Sequence, residues 1–183
     1  MKKLFYLSIA AIMIFTLSNC ATNHTVTNNT TKETDSIKLL KVKANPQFIS
    51  IQEGLQMMQD STYAPKILKK YGYKYKKNYE VYRVESYKEM YYKNCSLPIQ
   101  TGSGAFMDLP KAMKKGTSSY IAINNKIEIG VYNNQAYENL VGQILSVPGF
   151  TLINDGYEQE YSNGTYSIFT YAPNHRIRIQ KTL

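Results

Sequence analysis

Apolar residues recur with a helical period near the start of residues 37–183, where the pattern predicts two helices. Ser50 and Glu53 have the spacing of a capping box, and the apolar positions over 51–58 mark the inner face of the first helix. The second helix is expected to end at Gly72, because glycine tolerates the left-handed conformation that closes helices.

Two further patterns follow the second helix. Tyrosine and lysine alternate over 71–76, and this period of two predicts a half-buried strand. Asp108 and Pro110 have the order of a helix N-cap and a first-turn proline, which predicts a third helix ending at Gly116.

Residues 120–131 predict a β-hairpin around Asn124 and Asn125. A three-residue loop pairs Ile123 with Ile127 and keeps the isoleucines on one face, whereas a two-residue loop would divide them between faces. Because register follows the apolar pattern, we favour the longer loop.

The C-terminal part repeats the same order of elements. An amphipathic helix is expected over 136–145, stopped by Pro148 and Gly149, and two or three strands close the chain at about 150–153, 165–171 and 175–180.

This recurrence predicts an internal repeat, with units of about 50–97 and 134–183. Each unit consists of a helix, a glycine stop and a β-meander. Two such units that share one antiparallel sheet give an α+β fold, a two-layer sheet with packed helices. The architecture resembles, in outline, small secreted inhibitor proteins such as β-lactamase inhibitory proteins.

The composition narrows the class of protein. A chain of 183 residues with 43% apolar residues and a net charge of +9 suits one folded domain with a leader, and it excludes a wholly disordered chain. With two cysteines and two histidines, neither a disulfide-rich scaffold nor a multi-cysteine metal centre is expected. We therefore expect no metal site and no cofactor.

The N-terminus has the features of a secretory leader. Two lysines precede the apolar run 4–17, which is too short to span a bilayer as a helix, and the pattern predicts a signal peptide over 1–19. The exit, Leu17-Ser18-Asn19-Cys20, resembles the lipobox of bacterial lipoproteins, although Asn19 departs from the usual Gly or Ala. The resemblance implies cleavage before Cys20 and its modification by fatty chains such as palmitate, which anchor the protein to a membrane.

The residues after Cys20 bear on location. Ala21 follows where inner-membrane lipoproteins of proteobacteria have Asp, so the resemblance implies delivery to the outer membrane. Lipoproteins of Bacteroidota carry an acidic cluster here for surface export, and 21–31 has no acid, so we favour the periplasmic face. The Thr- and Asn-rich stretch 20–36 predicts a flexible tether to the globular domain 37–183. Ser36 lies in a triplet that resembles the O-glycosylation motif of Bacteroidota.

Cys95 is the thiol that remains once Cys20 is lipidated. Its neighbours, followed later by 127–132, resemble loosely the NlpC/P60 cell-wall peptidases, in which a Cys–His pair is catalytic. The position of the base is occupied by Glu128 or Ile129, which leaves His175 as a substitute. A cell-wall or glycan hydrolase that uses Cys95 is therefore the alternative function, whereas a buried structural thiol is the simpler interpretation.

The stretch 69–93 is the most unusual in composition, with eight basic residues, eight tyrosines and three glutamates. Such a surface suits an envelope protein, an anionic glycan or an anionic lipid, and the leader argues against nucleic acid. We expect a binding module, not an enzyme, in which a sheet face rich in tyrosine and lysine contacts the partner in an inhibitor-like or immunity-like role. The residues expected to bind the partner are Tyr73, Lys74, Tyr75, Lys76, Tyr82 and Arg83.

Overall fold

The computed structural model of the chain describes residues 41–183, which form an eight-stranded antiparallel sheet with helices packed on one face. The expected α+β fold with a two-layer sheet is confirmed. The predicted signal peptide, the lipidation site at Cys20 and the tether 20–36 lie outside the described residues.

The elements follow the chain in a simple order. The helices are α1 (Ile51–Gln59), α2 (Tyr63–Lys70) and α3 (Asn134–Ile144), and a 3₁₀ turn covers Ala172–Asn174. The strands are β1 (Lys74–Val81), β2 (Glu85–Lys93), β3 (Cys95–Ser96), β4 (Lys111–Ala112), β5 (Ser119–Ile123), β6 (Ile127–Val131), β7 (Thr151–Asp155), β8 (Gln159–Ser162), β9 (Tyr166–Tyr171) and β10 (Arg176–Lys181). Over residues 41–183, no helix combines the length and the apolar character that crossing a bilayer requires.

The large sheet has the order β1-β2-β5-β6-β10-β9-β8-β7, and β3 pairs with β4 in a separate ribbon. Four strands from 74–131 form one half and four strands from 151–181 form the other, with β6 and β10 adjacent in the middle. The first half thus extends beyond the repeat boundary expected at residue 97. A common origin of the two halves stays a prediction.

The start of α1 forms as its sequence predicts. Ser50 Oγ accepts a hydrogen bond from Glu53 N at 3.2 Å, and Glu53 Oε2 accepts one from Ser50 N at 2.7 Å. This capping box satisfies two backbone donors that the helix itself leaves free. Gly72 has φ +82°, so the left-handed position after α2 is also confirmed.

The hairpin register is confirmed as well. Ile123 pairs with Ile127 and Ile121 with Ile129, as the three-residue loop requires. These isoleucines face the helices and form the centre of the core, to which α1, α2 and α3 each contribute. The core thus lies between the helical layer and the sheet.

A second apolar cluster lies on the opposite face of the first half of the sheet. Tyr79 stacks on Phe106 with ring centroids 4.3 Å apart, and Met90 and Tyr120 complete its centre. Phe106 belongs to the segment between β3 and β4, which therefore covers this part of the sheet.

The helix predicted from Asp108 to Gly116 is wrong: this segment contains β4 and turns. The backbone carbonyls of this segment accept hydrogen bonds from distant tyrosines instead. The hydroxyl of Tyr79 donates to Asp108 O, and that of Tyr132 donates to Pro110 O. A local cap pattern cannot compete once these carbonyls are bound by side chains from distant parts of the chain.

The C-terminal half contains four strands where two or three were expected. β8 was missed because Gln159–Ser162 has no apolar alternation, and its neighbour β7 is exposed along its length. Both strands are held by backbone pairing at the margin of the sheet, with a bulge between Leu152 and Asn154.

Candidate functional site

Charge is distributed unevenly between the two halves of the molecule. Residues 41–131 carry fifteen basic and seven acidic side chains, whereas 132–183 carry three and four. Within the first part, nine of the basic residues fall in 66–93, around α2, β1 and β2. The positive charge of the protein is thus concentrated at one end of the sheet.

This charge is not neutralised within the described part of the chain. The ion pairs in residues 41–183 involve Lys111, Lys126, Arg176 and Arg178, and none involves a basic residue of 66–93. Unpaired cations at this density repel one another and raise the local potential, so an anionic partner is favoured there.

A depression lined by three tyrosines lies beside these cations, where α2 meets β1 and β2. We call it the tyrosine slot. Its volume is about 570 Å³, and Tyr75 in its lining has 52% of its surface exposed. The rings of Tyr75 and Tyr91 are 5.1 Å apart at 45°. The slot is lined by Pro65, Lys69, Tyr73, Tyr75, Glu89 and Tyr91.

The hydroxyl groups of the two inner tyrosines are already bound. Tyr73 Oη and Ser119 Oγ are 2.7 Å apart, and Tyr91 Oη donates to Glu89 Oε2 at 2.7 Å. Burial raises the pKa of both phenols, with Glu89 adding to the effect at Tyr91. Both therefore stay neutral at physiological pH and present ring surface, so the slot suits an apolar or aromatic group.

A lysine stands close to the inner wall of the slot. Lys93 Nζ donates to Gln47 O at 2.8 Å and lies 5.9 Å from the ring centroid of Tyr73. Burial lowers the pKa of Lys93. Lys93 and Lys69 thus place two cations at the slot, against the one carboxylate, Glu89, in its lining.

The six residues expected to bind a partner do not share one face, which corrects that expectation. Tyr73 and Tyr75 lie in the slot on the helix side, whereas Lys74 and Lys76 are paired across the strands with Tyr92 and Met90 of the opposite face. Alternation along β1 is the physical reason.

Tyr82 and Arg83 occupy the turn between β1 and β2. Arg83 has φ +59°, and its guanidinium lies 4.9 Å from the ring centroid of Tyr82. The sequence pattern did not identify Pro65, Lys69, Glu89 and Tyr91 as slot residues. For Tyr91, the available signal was its spacing of two residues from Glu89, which places both side chains on one face of β2.

Cys95 is buried, with 7% of its surface exposed, and its Sγ donates to the carbonyl oxygens of Lys93 at 3.2 Å and Ser119 at 3.5 Å. Burial raises the pKa of this thiol, which is opposite to the change that activates a nucleophile. His175 packs its ring 5.3 Å from that of Tyr137 and makes no hydrogen bond with Cys95. The geometry gives Cys95 the properties of a structural thiol.

The uncovered face of the second half carries a network of its own. Arg176 and Arg178 lie 3.8 and 2.7 Å from carboxylate oxygens of Glu128 and Glu158, and both stack on aromatic rings of β9. Their charges are matched internally, so this face lacks the excess charge found around the slot. Across residues 41–183, no three His, Cys, Asp or Glu side chains converge as metal ligands.

Comparison with known proteins identifies no relative. No protein-family model matches the chain, and neither a curated protein nor a solved structure matches it.

Proposed function

We propose that this protein is a binding module that holds an acidic envelope protein at the tyrosine slot and the lysines beside it. The observation that carries the proposal is the concentration of unpaired positive charge around an exposed aromatic depression. Interfaces are enriched in tyrosine, because its ring buries a large apolar area at low entropic cost. The surrounding lysines steer an acidic partner towards the slot.

The predicted leader supplies the location. A lipid on Cys20 and the tether 20–36 would hold the binding domain at the outer membrane, on its periplasmic face. There the module acts by occupying its partner, in the manner of an inhibitor or immunity protein. The state of Cys95, which is buried and bonded to two carbonyls, favours binding over catalysis.

Site-specific photocrosslinking of the full chain in its own envelope tests this function. With p-benzoylphenylalanine in place of Tyr75, we expect an adduct with a protein. The same probe in place of Tyr157, which is 81% exposed in the other half of the molecule, should give none. The lipid anchor is tested separately by detergent phase partitioning. The wild-type chain should enter the detergent phase, and the Cys20→Ser variant, which cannot carry the lipid, should not.

Charge reversal supplies the matched comparison. Lys74→Glu with Lys76→Glu should abolish the adduct at Tyr75, because the acidic partner is then repelled. Lys114→Glu with Lys115→Glu makes the same change in charge at exposed lysines elsewhere and should leave the adduct intact. No adduct at Tyr75, an adduct with lipid or glycan alone, or an adduct indifferent to both reversals would contradict the proposal.

A further inference from the structure

β1 is the outermost strand of the first half of the sheet, and only its C-terminal end is covered within residues 41–183. Phe106 N donates to Glu80 O and Tyr82 N donates to Phe106 O, each at 2.8 Å. An extended segment of the chain thus already pairs with this edge, in parallel with β1 at Val81.

The register of the neighbouring strands identifies the free backbone groups of the edge. The alternation of β1 is interrupted at Asn78, which has φ +52° and no ladder partner in β2. Before this point the backbone groups of Lys74 and Lys76 face β2: Val131 N donates to His175 O, and the register through β6 and β5 then directs Tyr92 and Met90 towards β1.

The N–H and C=O groups of Tyr75 and Lys77 therefore point away from β2. No described backbone group outside the β1–β2 ladder binds them. The stretch 74–78 therefore offers two sets of donors and acceptors, at Tyr75 and Lys77, to an added strand.

The two sides of this edge differ in chemistry. A strand added about 4.8 Å from β1 would place alternate side chains beside Tyr73 and Tyr75 on the slot side. Its other side chains would lie beside Lys74 and Lys76. The edge thus selects a segment in which apolar and acidic residues alternate.

A second copy of this chain is a poor occupant of the same edge. Antiparallel pairing of β1 with itself would set lysines directly opposite lysines, and like charges in that position are destabilising. Edge lysines commonly protect a sheet against such self-association. An acidic segment removes this repulsion and retains the backbone hydrogen bonds.

We propose, building on the function above, that the partner is bound by strand addition. An extended acidic segment pairs with residues 74–78 as a further strand and inserts alternate apolar side chains into the tyrosine slot. The backbone hydrogen bonds provide affinity, the slot selects apolar side chains, and Lys74 and Lys76 select acidic ones.

Defined peptides test this inference on the detergent-solubilised full chain. One library of nine-residue peptides alternates Leu, Phe, Tyr or Val with Glu or Asp, and a second has the same composition in shuffled order. We expect selection from the first library alone. The best peptide should bind at least tenfold more weakly after N-methylation of the residues that face the edge, and normally after N-methylation of the residues between them.

Hydrogen exchange measured by NMR locates the added strand. The bound peptide should slow exchange of the Tyr75 and Lys77 amides, whereas those of Lys74 and Lys76, which are already bonded to β2, should change little. Tyr75→Ser should weaken the peptide severalfold, and Tyr157→Ser, an exposed tyrosine in the other half, should not.

The outcomes separate the two proposals. If shuffled peptides or polyglutamate bind as well as the alternating peptide, and N-methylation has no effect, strand addition is overturned while recognition of an acidic partner stands. If no peptide binds and the Tyr75 adduct is also absent, both proposals fail. If no peptide binds but the charge-dependent adduct forms, strand addition alone fails.

Discussion

Glu128 is the charged residue most enclosed by the described part of the protein, with 5% of its surface exposed. Tyr120 Oη donates to its Oε1 at 2.7 Å, and Arg176 Nη1 lies 3.8 Å away. Burial, followed by the charge of Glu128, raises the pKa of Tyr120, so this phenol remains a donor. The carboxylate is stable in the sheet because a hydroxyl and a cation both compensate for lost hydration.

We expect Glu128→Gln to lower the free energy of unfolding by about 1–2 kcal/mol, measured by urea denaturation. The amide still accepts from Tyr120, but Arg176 is left without its counter-charge, and this arginine is partly hydrated, which limits the cost. Glu160→Gln is the control, since Glu160 lies on the same sheet face without an ion pair. Equal effects of the two substitutions would show that the Glu128 contacts do not stabilise the fold.

At the scale of the element, β6 depends on a glycine packed beneath a ring. Gly130 pairs with Tyr120 of β5, and a Cβ added to Gly130 would lie 2.0 Å from the nearest atom of that ring. Tyr120 cannot move freely, because it is buried and bonded to Glu128. Glycine is therefore required here by the close approach of an aromatic side chain, although glycine ordinarily weakens a strand.

Gly130→Ala should therefore destabilise the protein by about 2 kcal/mol, the opposite of the gain expected from alanine in an open strand. Thermal or urea unfolding measures the effect. Gly102→Ala serves as the control, because no atom lies within 4 Å of its added Cβ and its φ is not positive. In a Tyr120→Ala background the cost of Gly130→Ala should largely disappear, and persistence of the full cost there would refute the ring contact as its cause.

At the scale of the whole molecule, tyrosines lie in the core, in the slot and on both faces of the sheet. Burial and Glu53 raise the pKa of Tyr71 to about 12, and burial raises the pKa of several others further. These include Tyr73, Tyr79, Tyr87, Tyr91, Tyr120 and Tyr132. In the unfolded chain the same phenols titrate near pH 10.

This difference predicts cooperative alkaline unfolding. Because the folded pKa values are raised, the stabilisation is complete below about pH 10 and is lost as pH rises through 12 and beyond. Tyrosinate absorbance at about 295 nm should rise together with loss of far-UV circular dichroism, whereas the chain in concentrated urea should titrate near pH 10. Full titration near pH 10 with an unchanged dichroism spectrum would contradict the burial described above.

Local signals predicted those features of the fold that depend on neighbouring residues. The capping box at Ser50, the turn at Gly72 and the pairing of Ile123 with Ile127 each involve residues within five positions of one another. The segment 108–116 failed for the opposite reason, since Tyr79 of β1 and Tyr132, just after β6, bind its carbonyls from distant parts of the chain.

The candidate site was predicted only in composition. The density of lysine and tyrosine in 69–93 is visible in the sequence, and the structure places this excess charge at one end of the sheet. The slot was not predicted, because Pro65 and Lys69 approach Tyr75 and Tyr91 only when α2 packs on the sheet. The six residues first grouped together were separated by the alternation of β1.

The sequence alone determined the start of α1 at its capping box, the end of α2 before Gly72, the hairpin register and the location of excess charge, because each depends on short-range order or on composition. Tertiary structure decided the order of the strands, the free edge at 74–78 and the slot beside it, because these depend on which distant segments pair. Phe106 illustrates the difference: its position in the chain gave no sign that it covers one end of β1 and leaves the other end open.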